Sequence, residues 1–301
     1  MKLKKRLCIL TAIGLILALH SSGYAIERSG ELSPESLSRL KDLYDFKNWG
    51  SETGMVISGV EISEKILPQL TDMKQVWQHH EYSVRRLQSI SFAQIRQWWR
   101  SENSRLFITM IVGPSFEAAK EYLISEYAVT SMVPPPIRPR GRQHGLQIGH
   151  ICFTMAGEKG NGGFSAVDFI RHNVIFLMRA EGDVQTDLRA MAELLDALLR
   201  EKAIVENYAE HPDLPRITAF SPEKAEIRLG EKVLLNLEMY DSEQRKLHYE
   251  WKVTGGGVEK NLQDRFEYYG GEEGAQHITV TVVNELGLIE SASTDIVVVG
   301  P

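Results

Sequence analysis

Cysteine is nearly absent. The 301-residue chain has two, Cys8 and Cys152, so no disulfide framework carries the fold. Excess positive charge is missing too. Lysine and arginine number 34 against 40 acidic residues, a formal net charge of −6, which points away from nucleic-acid binding. No stretch is apolar for the roughly 20 residues that a membrane-spanning helix needs. The 11 prolines and 24 glycines follow no triplet period, which excludes a collagen-like rod. Gly-x-Ser-x-Gly, His-Glu-x-x-His, Walker and dinucleotide-binding signatures are all lacking, so no cofactor is expected. His79-His80-Glu81 has no second histidine one turn on and reads as a polar helix end, with no metal site expected.

What remains is a globular composition, 43% hydrophobic and 25% charged, long enough for one large or two moderate domains. Lys2, Lys4, Lys5 and Arg6 precede an apolar run from Leu7 to Leu19, and small residues lead to Ala25. That pattern predicts a signal peptide over residues 1–25 and a periplasmic or secreted protein. Its removal takes away four basic residues and no acidic one, so the net charge falls to −10 and Cys152 is the sole remaining cysteine. Stability then rests on packing alone.

The texture changes near Glu210-His211-Pro212-Asp213-Leu214-Pro215. Two closely spaced prolines stop a helix and favour an extended chain. Residues 211–215 are therefore expected to link an α+β domain, 26–210, to an all-β domain, 216–301. In the first, Pro34 opens a helix after Ser33, and Glu64 to His80 is read as a further short helix. Gln94–Arg100 and Arg105–Val112 form a hairpin turned at Glu102-Asn103, and Ser115 opens a helix with Phe116, Ala119, Leu123 and Tyr127 on one face. Strands are expected at Leu146–Phe153, Phe164–Arg171 and Val174–Ala180, then a helix after Thr186 with Leu188, Ala192, Leu195 and Leu199 aligned. Strands in groups predict an antiparallel sheet with helices on one face.

The second domain shows short alternating segments at Ala225–Leu229, Val233–Met239, Leu247–Val253, Arg265–Tyr268, His277–Val283 and Ser291–Val299. Such spacing without a helix period predicts a β-sandwich. The run Tyr249-x-Trp251-x-Val253-x-Gly255-Gly256, followed by Ile278-Thr279-Val280-Thr281-Val282-x-Asn284-x-x-Gly287, resembles the PKD-type immunoglobulin-like domains of secreted bacterial proteins. The resemblance implies a spacer or binding module with Trp251 as a core tryptophan. Where that family has an Asp-rich turn, this chain has Thr254-Gly255-Gly256-Gly257, so no metal site is expected there.

Two features suit binding. Alternation in the hairpin sends Ile95 and Trp99 to one face and Arg96, Trp98 and Arg100 to the other. With Trp99 inward, Trp98 is an aromatic plate flanked by guanidiniums, fit to stack on a sugar ring or clamp an anionic polymer; covered by another element, it is packing. The loop Pro134–Arg142 presents Arg138, Arg140 and Arg142 between prolines, suited to phosphate or carboxylate groups or simply a solvated connection. These residues predict an exported, non-catalytic binding or scaffolding protein of the cell envelope, with a glycan or another exported protein as partner. The alternative is a secreted hydrolase tethered to its substrate by the sandwich, with Cys152, His150 and Asp168 as its only candidate reactive group.

Overall fold

The computed structural model describes residues 34–51, 55–75, 81–87, 89–130, 146–156, 164–182, 188–260 and 265–300. The expected signal peptide, the caps at Ser33 and Thr186, His79-His80 and the arginine loop 134–142 lie outside them. Two compact units are distinguished, Met1–Arg39 and Leu40–Pro301. Helix α1 (Pro34–Leu43) begins in the first. The elements after it belong to the second.

After α1 come strands β1 (Lys74–Gln75), β2 (Glu81–Leu87), β3 (Ile90–Arg100) and β4 (Ser104–Val112), helix α2 (Phe116–Thr130), strands β5 (Ile151–Ala156), β6 (Phe164–Arg171) and β7 (Val174–Gly182), and helix α3 (Leu188–Arg200). The strands form one seven-stranded sheet in the order β1-β3-β4-β7-β6-β5, with β2 beside β1 along the same edge of β3. Every pairing in it is antiparallel. Glu64–Gln75 is not the expected helix: Pro68 opens a single 3-10 turn, and Lys74 and Gln75 join the sheet. A lone turn around a proline gives little helical cooperativity, so pairing with β3 prevails. Strand β5 starts at Ile151, not Leu146. Gly149 takes φ +60°, and a Cβ there would lie 2.4 Å from the Ile170 carbonyl oxygen, so the chain turns before it pairs.

The helices lie on both faces, which corrects the one-faced arrangement. Leu188, Met191, Ala192, Leu195 and Leu199 of α3 share a cluster with Ile108, Met110, Val167, Phe169, Phe176 and Met178. Helix α2 packs against residues of the other parity: Tyr122 meets Phe92 and Gln94, and Tyr127 meets Phe153 and Asp168. The cause is visible in runs such as Met110-Ile111-Val112 and Val174-Ile175-Phe176, all buried. Consecutive apolar residues place side chains on both sides of a sheet, and both sides then need cover.

Residues 216–299 add β8 (Arg216–Pro222), β9 (Glu226–Arg228), β10 (Lys232–Tyr240), β11 (Leu247–Val253), β12 (Gly257–Lys260), β13 (Phe266–Tyr269), β14 (Gly274–Asn284) and β15 (Ile289–Val299). They form two four-stranded sheets, β12-β13-β10-β8 and β11-β14-β15-β9. Both feed one apolar cluster, with Val233, Leu235 and Tyr268 from the first and Ile227, Ile278, Ile296 and Val298 from the second. The fold as a whole is predominantly β-sheet.

The turn between β14 and β15 reaches back to the large sheet. Asn284 accepts from the amides of Leu286 and Leu288 and donates to the Asp213 carbonyl at 2.7 Å. Leu288 is fully buried in the cluster under α3. Tyr82 stacks on His248 with ring centres 3.4 Å apart, and Glu250 accepts from the Val84 amide.

Within 211–215, His211 is fully buried, its Nδ1 accepting from the Asp213 amide, while Asp213 pairs with Arg245 at 2.7 Å. Burial lowers the His211 pKa, with Asp213 pulling the other way. The unfolded chain, near pKa 6.5, therefore binds a proton more readily than the folded one. Stability from this group is complete above about pH 6.5 and is lost as pH falls, with a slope of at most about 1.4 kcal/mol per pH unit. Urea midpoints measured from pH 7.5 to 5.5 should fall less steeply in His211→Gln than in the wild type; equal slopes would remove His211 from the account.

Candidate functional site

The site builds from register. In the hairpin of β3 and β4, Arg100 faces Arg105, Trp98 faces Phe107 and Arg96 faces Thr109. Strand β1 adds Lys74 opposite Arg100, and β7 adds Glu181, Arg179 and Leu177 opposite Arg105, Phe107 and Thr109. Directly paired residues share a face. Three rows therefore run across the α2 side of the sheet: Lys74–Arg100–Arg105–Glu181, then Trp98–Phe107–Arg179, then Arg96–Thr109–Leu177. Successive rows lie about 7 Å apart and neighbouring strands about 5 Å.

Trp98 and Phe107 are half-buried, their rings edge to face with centres 6.3 Å apart. Trp99 is buried on the opposite face, its indole N–H donating to the Gln97 side chain at 3.0 Å. The structure thus brings Trp98, Arg96 and Arg100 to one face, as the alternation predicted. Arg138, Arg140 and Arg142 are outside the described residues.

The charges of these rows are held differently. Arg179 grips Asp168 with both guanidinium arms, one at 2.8 Å, and the Tyr127 hydroxyl donates to the same carboxylate at 2.9 Å. Burial works against the Arg179 charge, but Asp168 outweighs it and the pKa rises above the ordinary value. Burial first, then Asp168, pushes the Tyr127 phenol well up, so it stays a donor. Arg171 and Arg200 share one carboxylate, Asp196, which is almost wholly buried on α3. Lys74, Arg100 and Arg105, by contrast, form no ion pair among the described residues. They line an open groove of about 780 Å³ together with Asp72, Ser101, Glu102, Asn103, Ser104 and Glu181.

The candidate thiol site is not assembled. Cys152 joins the cluster under α3, whereas Asp168 faces Tyr127 and Arg179 on the opposite side. His150 packs against Phe116 and His172. A second, smaller cavity of about 140 Å³ lies on the α3 side of β3, among Trp99, Tyr82, Glu61, Glu64 and Glu285. Burial, and then Glu285 and Glu61, raise the Tyr82 phenol.

Phe107 beside Trp98, and Lys74 and Arg105 in the groove, are the residues that sequence reasoning missed. A turn at Glu102-Asn103 already implies Arg100 opposite Arg105. Lys74 carried no such signal, since its strand reads as helix. No known protein family and no curated protein matches this chain.

Proposed function

We propose that this protein is an exported recognition module of the cell envelope that binds a glycan chain across the Trp98 row. The observation carrying this is the position of Trp98: half-buried, seated against Phe107, with arginines in the row on either side. A flat aromatic face accepts the C–H face of a sugar ring, and guanidinium forks hydrogen-bond its oxygens. An adjoining groove rich in Ser, Asn and charged groups suits a hydroxyl-rich ligand better than an apolar one.

Residues 216–301 serve in this reading as an immunoglobulin-like sandwich of the PKD type that follows 211–215 and packs on the large sheet through Leu288, His248 and Glu250. Trp251, partly buried against the sandwich core with its ring tilted on Phe220 and Phe266, fits the core tryptophan of such a domain. Export follows from the predicted signal peptide.

A glycan array with the purified protein tests the function. At least one envelope polysaccharide should be retained, and Trp98→Ala should weaken that binding about tenfold or more with the unfolding midpoint little changed. Retention of no glycan, or equal binding by Trp98→Ala, would overturn the reading.

A further inference from the structure

We infer that the glycan is acidic, its sugar carboxylates held by Lys74, Arg100 and Arg105 beside the Trp98 stack. This rests on the glycan reading above and names the ligand class of that same site. Arg100 lies directly opposite Arg105 and also directly opposite Lys74, so three cations occupy adjacent strands of one row. Like charges at facing positions repel.

Two other arginines of the same sheet are compensated by buried carboxylates: Asp168 holds Arg179, and Asp196 holds Arg171. For the three cations of this row no carboxylate stands within ion-pair distance among the described residues. Glu181 ends the row as its single acid, opposite Arg105. Asp72 and Glu102 enter the groove from outside the row.

Geometry then favours a carboxylate-bearing sugar over a bare ion. The cation row spans about 10 Å across three strands, one row from Trp98, about 7 Å along β3. A ring stacked on Trp98 places a substituent over Arg100 and Arg105, whose paired forks match a planar carboxylate. Lys74 extends the positive track toward the next sugar of the chain, as a repeating acidic polymer requires.

The test uses a purified oligouronate and its methyl ester, which keeps the ring and loses the charge. Wild type should bind the oligouronate at least tenfold more tightly than the ester, with the preference shrinking as salt rises. Arg100→Gln/Arg105→Gln should abolish that preference, with the oligouronate losing more affinity than the ester. The same double variant should unfold at higher urea than wild type, because a repulsive pair has been removed; a purely structural pair would give the opposite shift. Equal binding of both ligands by wild type would overturn the acidic assignment while leaving glycan recognition standing. Binding of neither, with no other glycan retained, would remove both. Competition by inorganic phosphate at concentrations where acetate does nothing would replace the carboxylate by a phosphate-bearing polymer and likewise overturn the assignment.

Discussion

Arg179→Met should destabilise the fold by about 3–5 kcal/mol, and Asp168→Asn by less. The asymmetry comes from exposure. The Asp168 side chain is wholly buried, whereas the Arg179 side chain is 25% exposed. Removing the arginine strands a carboxylate that has no route to water, with the Tyr127 hydroxyl as its remaining donor. Taking charge from the aspartate instead leaves a guanidinium that can turn toward solvent, and asparagine still accepts from Tyr127. That loss should be about 1–3 kcal/mol, the range for a buried hydrogen bond left unmade.

The double variant, Asp168→Asn with Arg179→Met, sharpens the point. No charge is then buried without a partner, so it should recover much of what Arg179→Met loses. A cycle of urea unfolding measurements would return a coupling at the upper end of the range for residues in contact, about 3 kcal/mol. If Arg179→Met proved as stable as wild type, Asp168 would have to reach water or another cation by a route that its burial excludes. The pair also bears on the glycan face, since Arg179 stands directly opposite Phe107. With Arg179 fixed by Asp168, the neighbouring row is left to supply positive charge.

How much of this was legible in the sequence depends on what each residue's neighbours were. Local periodicity placed α2, α3 and the β3–β4 hairpin, because apolar spacing and turn residues act over a few positions. It also placed Trp98 and Trp99 on opposite faces, since the pleat alone decides that. Strand β11 matches the reading Leu247–Val253 residue for residue. Long-range pairing was out of reach. Lys74 belongs to a two-residue strand whose existence depends on Arg100 and Trp99 of β3. Strand β8 (Arg216–Pro222) has no fully buried residue, so it showed no inward face to recognise. The cover on both sides of the sheet was legible in consecutive apolar residues such as Val174-Ile175-Phe176, but the grouping of strands, taken alone, points to cover on one side. At the site, the facing arginines followed from the turn, whereas their lack of counter-charges required knowing where Asp168 and Asp196 point.

Asn173→Ala is expected to cost a further large fraction of stability, about 3–5 kcal/mol. Residues His172 and Asn173 alone connect β6 to β7, and His172 takes φ +50°, a left-handed turn conformation. The Asn173 side chain, fully buried, then behaves as a strand partner for Ile57, between Val56, which bridges Val205, and Gly59, which bonds Leu286. It accepts from the Ile57 amide at 2.7 Å and donates to the carbonyls of Ile57 at 3.0 Å and Gly113 at 2.8 Å. Ile57 is itself fully buried, so water cannot replace these bonds. Alanine leaves one amide and two carbonyls of the interior unsatisfied. An aspartate at this position offers the sharper comparison: Asn173→Asp keeps an acceptor for the Ile57 amide but sets a carboxylate oxygen against two carbonyl oxygens. It should therefore be at least as damaging as Asn173→Ala at neutral pH, although it is the closer isostere. Urea unfolding orders the three proteins, and amide exchange at Ile57 should accelerate in both variants. A stable Asn173→Asp protein with a protected Ile57 amide would mean that the two donor bonds contribute nothing, and the segment around Ile57 would then be held by its core packing and by the backbone bonds of Val56 to Val205 and of Gly59 to Leu286.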